Sequence, residues 1–169
     1  MEEKKTLDET KHARFVEHEK GDIIELKRRA AEAAEKTSKL REKHRELIEK
    51  AKELETKALK YESKADDIEA KSAAYKGKEL EVLDEAREAK AEQDAIKASK
   101  LEVKAAKMET KVAHKEHKAD QKDLKAAELR EKAQEYKEKA AEVLEEVKDA
   151  EKEEQEYRAR ISRMQGKTQ

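Results

Sequence analysis

His114, His117 and Asp120, in "HKEHKAD", sit three residues apart and would share one face of a helix, an arrangement that can offer ligands to a metal. A structural zinc site takes four ligands, often with cysteine, and nothing nearby completes this set. Solvent-facing side chains are the expected reading. Glu9 and His12 form one E-x-x-H, whereas a di-iron bundle needs two such pairs and two further glutamates. His44 sits on a helical seam position, which marks it as a polar residue that fixes register. Tyr61, Tyr75, Tyr136 and Tyr157 read as packing anchors with hydrated hydroxyls. With no nucleophile–base pair and no glycine-rich phosphate loop, the sequence predicts a non-enzyme with no cofactor and no metal.

Any such side chains must be positioned by helices, and the composition says of what kind. Half of the 169 residues are charged and only 35% are hydrophobic, with no Pro, Cys or Trp. Ala supplies nearly half of the hydrophobic share, so a compact globular core is out of reach. A chain dominated by Ala, Glu, Lys, Leu and Arg with a sustained repeat has the profile of a long helix or coiled coil. Disorder also accompanies so much charge, but it carries no periodicity.

The periodicity is a heptad in two frames. From residue 22 onward, position a reads Ile23, Ala30, Thr37, His44, Ala51, Ala58, Ala65, Ser72, Glu79, Ala86 and Gln93. Position d reads Leu26, Ala33, Leu40, Leu47, Leu54, Tyr61, Ile68, Tyr75, Val82, Ala89 and Ile96. In the second frame a is Ala98, Ala105, Val112, Ala119, Ala126, Ala133, Ala140, Val147, Glu154 and Ile161. Its d column is Leu101, Met108, Lys115, Lys122, Leu129, Tyr136, Val143, Ala150, Tyr157 and Met164. Small residues fill a and mostly larger ones fill d, the 3-4 spacing of a coiled coil.

The frames are two residues out of phase, roughly 200° around a helix, and one stutter or stammer does not reconcile them. A break near 95–99 does. Ser99 with Glu102 has capping-box spacing and predicts a fresh helix start there, as Asp22 with Glu25 does earlier. Gly166 is the expected C′ residue at the end. The prediction is all-α: a long antiparallel coiled-coil hairpin with an Ala-rich seam. Residues 1–21 form a short or frayed N-terminal helix, 22–96 the first arm, 97–99 the turn, 100–165 the second arm and 166–169 a tail. A turn near residue 97 pairs residues whose numbers total about 194, placing Tyr61 against Ala133, Tyr75 against Ala119 and Glu79 against Lys115. A total of 187 keeps a against d equally well and sets Ile23 against Met164. The alternatives are one continuous helix pairing with other chains, and a three-helix form broken at Gly77 and near "HKEHK".

Forty-two basic and 43 acidic residues leave a formal charge of −1, which argues against a nucleic-acid footprint and against attraction to anionic lipid. No apolar run is long enough for a signal peptide core or a membrane span, so a cytoplasmic protein is expected. Outward Glu–Lys and Glu–Arg pairs four residues apart, such as Glu46–Lys50 and Glu135–Lys139, suit a solvated face. Ile24, Leu59 and Leu80 lie outside the seam on one side of the first arm. The expected role is structural: a spacer, arm or assembly unit whose partner is itself, within one chain or between copies. A hairpin adaptor binding another protein is the neighbouring alternative. In its Lys/Glu/Ala-rich, Cys- and Trp-free composition the chain is similar to late-embryogenesis-abundant proteins, which implies a conditionally helical stress protectant. It departs from them in repeating every seven residues rather than every eleven. It resembles tropomyosin-like rods in its Ala clusters and seam tyrosines, but those rods are strongly acidic and this chain is neutral.

Overall fold

The computed structural model describes the backbone of residues 2–167 and the side chains of residues 20–166. Two helices account for it: α1 (Glu2–Ala91) and α2 (Ala95–Lys167). They pack against each other as an antiparallel helical hairpin. Strong helix formers and the absence of proline let each run without interruption, and α1 passes straight through Gly77.

The break is three residues, Glu92–Asp94, where 97–99 was expected. Its hydrogen bonds explain why the chain stops there. The Asp94 N–H donates to the Ala89 carbonyl at 2.9 Å and the Gln93 N–H to the Lys90 carbonyl at 3.1 Å. These are the two bonds of a Schellman motif, with Gln93 at φ 63° in the left-handed position usually given to glycine. Asp94 then serves the next helix as well, its Oδ1 accepting the Lys97 N–H at 3.0 Å. It is the N-cap of α2.

Three expectations about caps are therefore corrected. Ser99 and Glu102 lie inside α2, because Asp94 has already satisfied its free end. Asp22 and Glu25 lie inside α1, which continues through Gly21. Gly166 is helical with no positive φ and is not a C′ residue. The N-terminal stretch is backbone-continuous with α1, while the side chains of Leu7, Glu9, His12, Phe15 and Val16 lie outside the described residues.

Asp94→Ala should cost about 1 kcal/mol by removing the cap. Gln93→Gly should stabilise by about 1 kcal/mol through relief of the left-handed strain. Urea-unfolding midpoints of both variants check the two signs.

By contact density the chain divides into unit 1, residues 1–49 with 136–169, and unit 2, residues 50–135. In unit 1, Ala30, Ala33 and Thr37 of α1 are buried, as are Ala140, Val143, Val147 and Ala150 of α2. Thr37 satisfies its hydroxyl by donating to the Ala33 carbonyl at 2.9 Å. Leu40, His44, Leu47, Tyr157, Ile161 and Met164 are half-buried beside them.

In unit 2 the buried set is Ala51, Ala58, Ala65, Ser72, Val82, Ala86 and Ala89 with Ala98, Ala105, Val112, Ala119, Ala126 and Ala133. Leu54, Tyr61, Ile68, Tyr75, Leu101, Met108 and Leu129 are half-buried. Among the described residues, every a and d residue is withdrawn from solvent except Gln93 and Ile96. Those two belong to the turn and the first turn of α2, so the first seam ends at Ala89, 0% exposed, and the second begins at Ala98, 2% exposed.

The ion pairs that cross between helices give the register. In unit 2 they are Glu62–Arg130 at 2.8 Å, Lys76–Glu116 at 3.4 Å and Lys90–Glu102; in unit 1, Arg41–Glu151. The two numbers total 192 each time, and every partner sits four residues after an a position. Since d is three after a, opposing a and d residues total five fewer, 187. The expected 194 is a heptad off, because the turn is centred on residue 93 instead of 97. Tyr61 thus faces Ala126, Ile68 faces Ala119 and Leu54 faces Ala133. Large still meets small, as close packing requires.

Candidate interaction surface

The two edges of the seam carry different electrostatics. On one edge, position e of α1 faces position e of α2, and the four ion pairs above lie along it with opposite signs matched. On the other edge position g faces position g, and in unit 2 this edge is lysine except at Glu85 and Glu92 near the turn. Lys50, Lys57, Lys64, Lys71 and Lys78 occupy g on α1; Lys104, Lys111, Lys118, Lys125 and Lys132 occupy it on α2. All ten are exposed. The register that matches opposite charges on the first edge sets Lys against Lys on the second, with Lys71 nearest in level to Lys118 and Lys64 to Lys125. Such like-charge pairs oppose the packing slightly and do nothing to set it. The Ala seam holds the rows together against that repulsion, with the long lysine stems covering apolar surface while their heads reach water.

Two tyrosines organise the lysine edge. Tyr75 lies beneath three ammonium groups, Lys115 at 5.2 Å, Lys78 at 5.8 Å and Lys111 at 6.0 Å from the ring centroid. Tyr61 lies beneath Lys122 at 5.5 Å and Lys64 at 5.6 Å. Ring quadrupoles of this kind attract cations at such distances. This accounts for Lys115 and Lys122, the two basic residues on the α2 seam: each tilts out of the seam onto a ring of α1. Lys115 was expected against Glu79, and the heptad shift gives it to Tyr75 instead. Between the rings Ile68, Lys71, Thr110, Lys111, His114, Lys115 and Lys118 line an open groove of about 640 Å³. Among the described residues no carboxylate lies within 4 Å of the ammonium of Lys57, Lys71, Lys104 or Lys118.

Unit 1 holds the opposite sign on α2. Glu138, Glu142, Glu145, Asp149 and Glu156 are all exposed and fall within an arc of roughly 60° at about 100° per residue. They occupy positions c and f, about 160° away from the direction of the seam. Lys148 beside Glu145 holds that carboxyl below the usual carboxylate range.

At another place in unit 1, Arg28 and Arg29 converge on Glu25, with Nη2–Oε1 and Nε–Oε1 distances of 2.7 and 3.0 Å. The hydrogen bonds from Arg28 and then Arg29 pull its carboxyl down from 4.5 to about 2. A carboxyl titrating below its unfolded value stabilises the fold above about pH 4.5 and loses that contribution as pH falls towards 2. Glu25→Gln should therefore match the parent at pH 2 and be less stable than it at pH 5, with the gap opening between the two in a series of thermal melts.

The remaining sequence-predicted residues are not drawn together. His114 borders the lysine groove, while His117 lies 3.0 Å from the Gln121 side chain through its Nε2. No group of three or more His, Cys, Asp or Glu side chains converges among the described residues. His44 is half-buried beside Arg41, Arg45, Leu144 and Val147. Ile24, Leu59 and Leu80 are 69%, 58% and 61% exposed, as their off-seam positions require. The lysine rows were missed in the sequence because charge was counted over the whole chain. Lysine at g for five consecutive heptads on both arms was readable once the frames were written. No helix among the described residues is long and apolar enough to cross a membrane. Comparison with protein-family models, with curated proteins and with solved structures finds no match.

Proposed function

We propose that the protein is a non-catalytic structural element, a helical hairpin that serves as a spacer, arm or assembly unit through side-chain packing. The observation that carries this reading is the Ala seam. Ala51, Ala58 and Ala89 are 0% exposed, and Ala65, Ala119, Ala126 and Ala133 are each 1% exposed. Alanine at the contact lets helices approach at the short end of the usual spacing of about 8–10 Å. It leaves no room between them for a buried substrate cavity of the usual few hundred Å³. A sequence that holds one register over so many heptads gains stiffness by doing so, which suits a load-bearing or spacing role better than a solute's.

Circular dichroism in dilute aqueous buffer tests the reading. A strongly helical spectrum with a cooperative melt is the expected result. Helix that forms only on drying or in alcohol would contradict it and return the chain to the conditionally folded, stress-protectant class.

A further inference from the structure

We propose that the lysine edge of unit 2 is a docking surface for a second copy of this chain, occupied by the acidic face of that copy's α2. The proposal rests on the structural reading above and adds the partner. Its first support is the pattern of sign. Along the e edge four oppositely charged pairs close within the hairpin, whereas the g edge opposes lysine to lysine from the Lys78–Lys111 level to the Lys57–Lys132 level. A surface needed only for solubility would be served by the mixed charges of the first edge.

Charge complementarity identifies the occupant. The acidic face on α2 of unit 1 points away from its own seam, so a neighbouring molecule can reach it without opening the hairpin. Glu142, Asp149 and Glu156 repeat every seven residues, as the lysines do, giving both surfaces a rise of about 10.5 Å per repeat. An acidic ridge laid along a two-row basic groove therefore meets lysine at each successive level. The sign segregation also explains how a chain of formal charge −1 has a strongly basic edge: the compensating carboxylates are carried on another face.

Other polyanions fit less well. Leu59 and Leu80 are exposed at position b, on the far side from the g edge, so the lysine rows present no apolar side chains of that kind to a lipid surface. The rings of Tyr61 and Tyr75 are already covered by ammonium groups, which leaves no bare face on which a nucleic-acid base could stack.

Sedimentation equilibrium of the full chain is the test. Self-association is expected at about 0.05 M salt and should fall away towards 1 M, where the screening length is about 3 Å. The triple variant Lys57→Glu, Lys71→Glu, Lys118→Glu should weaken it about a hundredfold, as should Glu142→Lys, Asp149→Lys, Glu156→Lys. An equimolar mixture of the two variants should associate again. Carbodiimide cross-linking of mixed light and heavy isotopic copies gives a readout that needs no variant: lysine-edge peptides of one copy joined to acidic-face peptides of the other. A wild-type chain that is monomeric at low salt with an intact helical melt would overturn the docking proposal and leave the structural reading standing. So would retention of that monomer on anionic vesicles or on single-stranded RNA, which would assign the edge to that ligand. Loss of the helical melt itself would remove the structural reading.

Discussion

Ala126→Asp is expected to destabilise the hairpin by about 3–5 kcal/mol, the range for an uncompensated buried charge. Ala126 is 1% exposed and the register sets it against Tyr61. The aspartate stem is too short to carry its carboxylate out of the seam, in contrast with Lys122 one turn away, whose long stem reaches the Tyr61 ring edge of the groove. Ala127, the next residue, is exposed, so Ala127→Asp makes the same chemical change while losing only helix propensity, about 0.7 kcal/mol. Urea melts of the pair separate burial from propensity. Equal losses in the two would mean that Ala126 does not sit in a packed seam.

Deleting the single residue Lys64 should be far worse than deleting the seven residues 64–70. One residue turns everything before it by about 100° relative to everything after it, so one side or the other of the deletion must present g and c positions to the partner helix. The loss should exceed about 4–5 kcal/mol, beyond the usual range for small changes. Deleting a full heptad keeps a against d. It moves the residues before the deletion by one repeat towards the turn, which in the original numbers seats Tyr61 against Ala119 and Leu54 against Ala126. Both are large residues meeting alanine, so the seam stays closed apart from one lost layer. Thermal melts followed by circular dichroism should show the seven-residue deletion folding cooperatively and the one-residue deletion losing much of its helical signal.

The same equivalence explains what the sequence could and could not convey. The two frames were legible because a and d recur through the whole of both arms, and burial follows them almost residue for residue. The two-residue phase difference was sufficient to require a break. Its position was harder to read. The left-handed residue is Gln93 where glycine would have flagged it, and Asp94 caps without a Glu or Gln three residues on, since Lys97 stands there. Ser99 and Glu102 have the right spacing but sit in the helix interior, where capping geometry has nothing to satisfy. Register within a heptad was also hidden, because an Ala-rich a column gives similar pairings at totals of 187 and 194. The ion pairs of the e edge distinguish them, and they follow from the heptad assignment only when both arms are read together. The lysine edge has the same origin: it belongs to neither helix alone.

The pairing of the two arms within one molecule is most directly tested by the distance between nitroxide labels at Glu62 and Arg130, measured by double electron–electron resonance. In the hairpin these residues form an ion pair at 2.8 Å, so the labels should report a short distance that is unchanged on dilution with unlabelled protein. In an uninterrupted helix the two positions would be about 100 Å apart within a chain. A short distance that disappears on dilution, or no short distance at all, would contradict the hairpin.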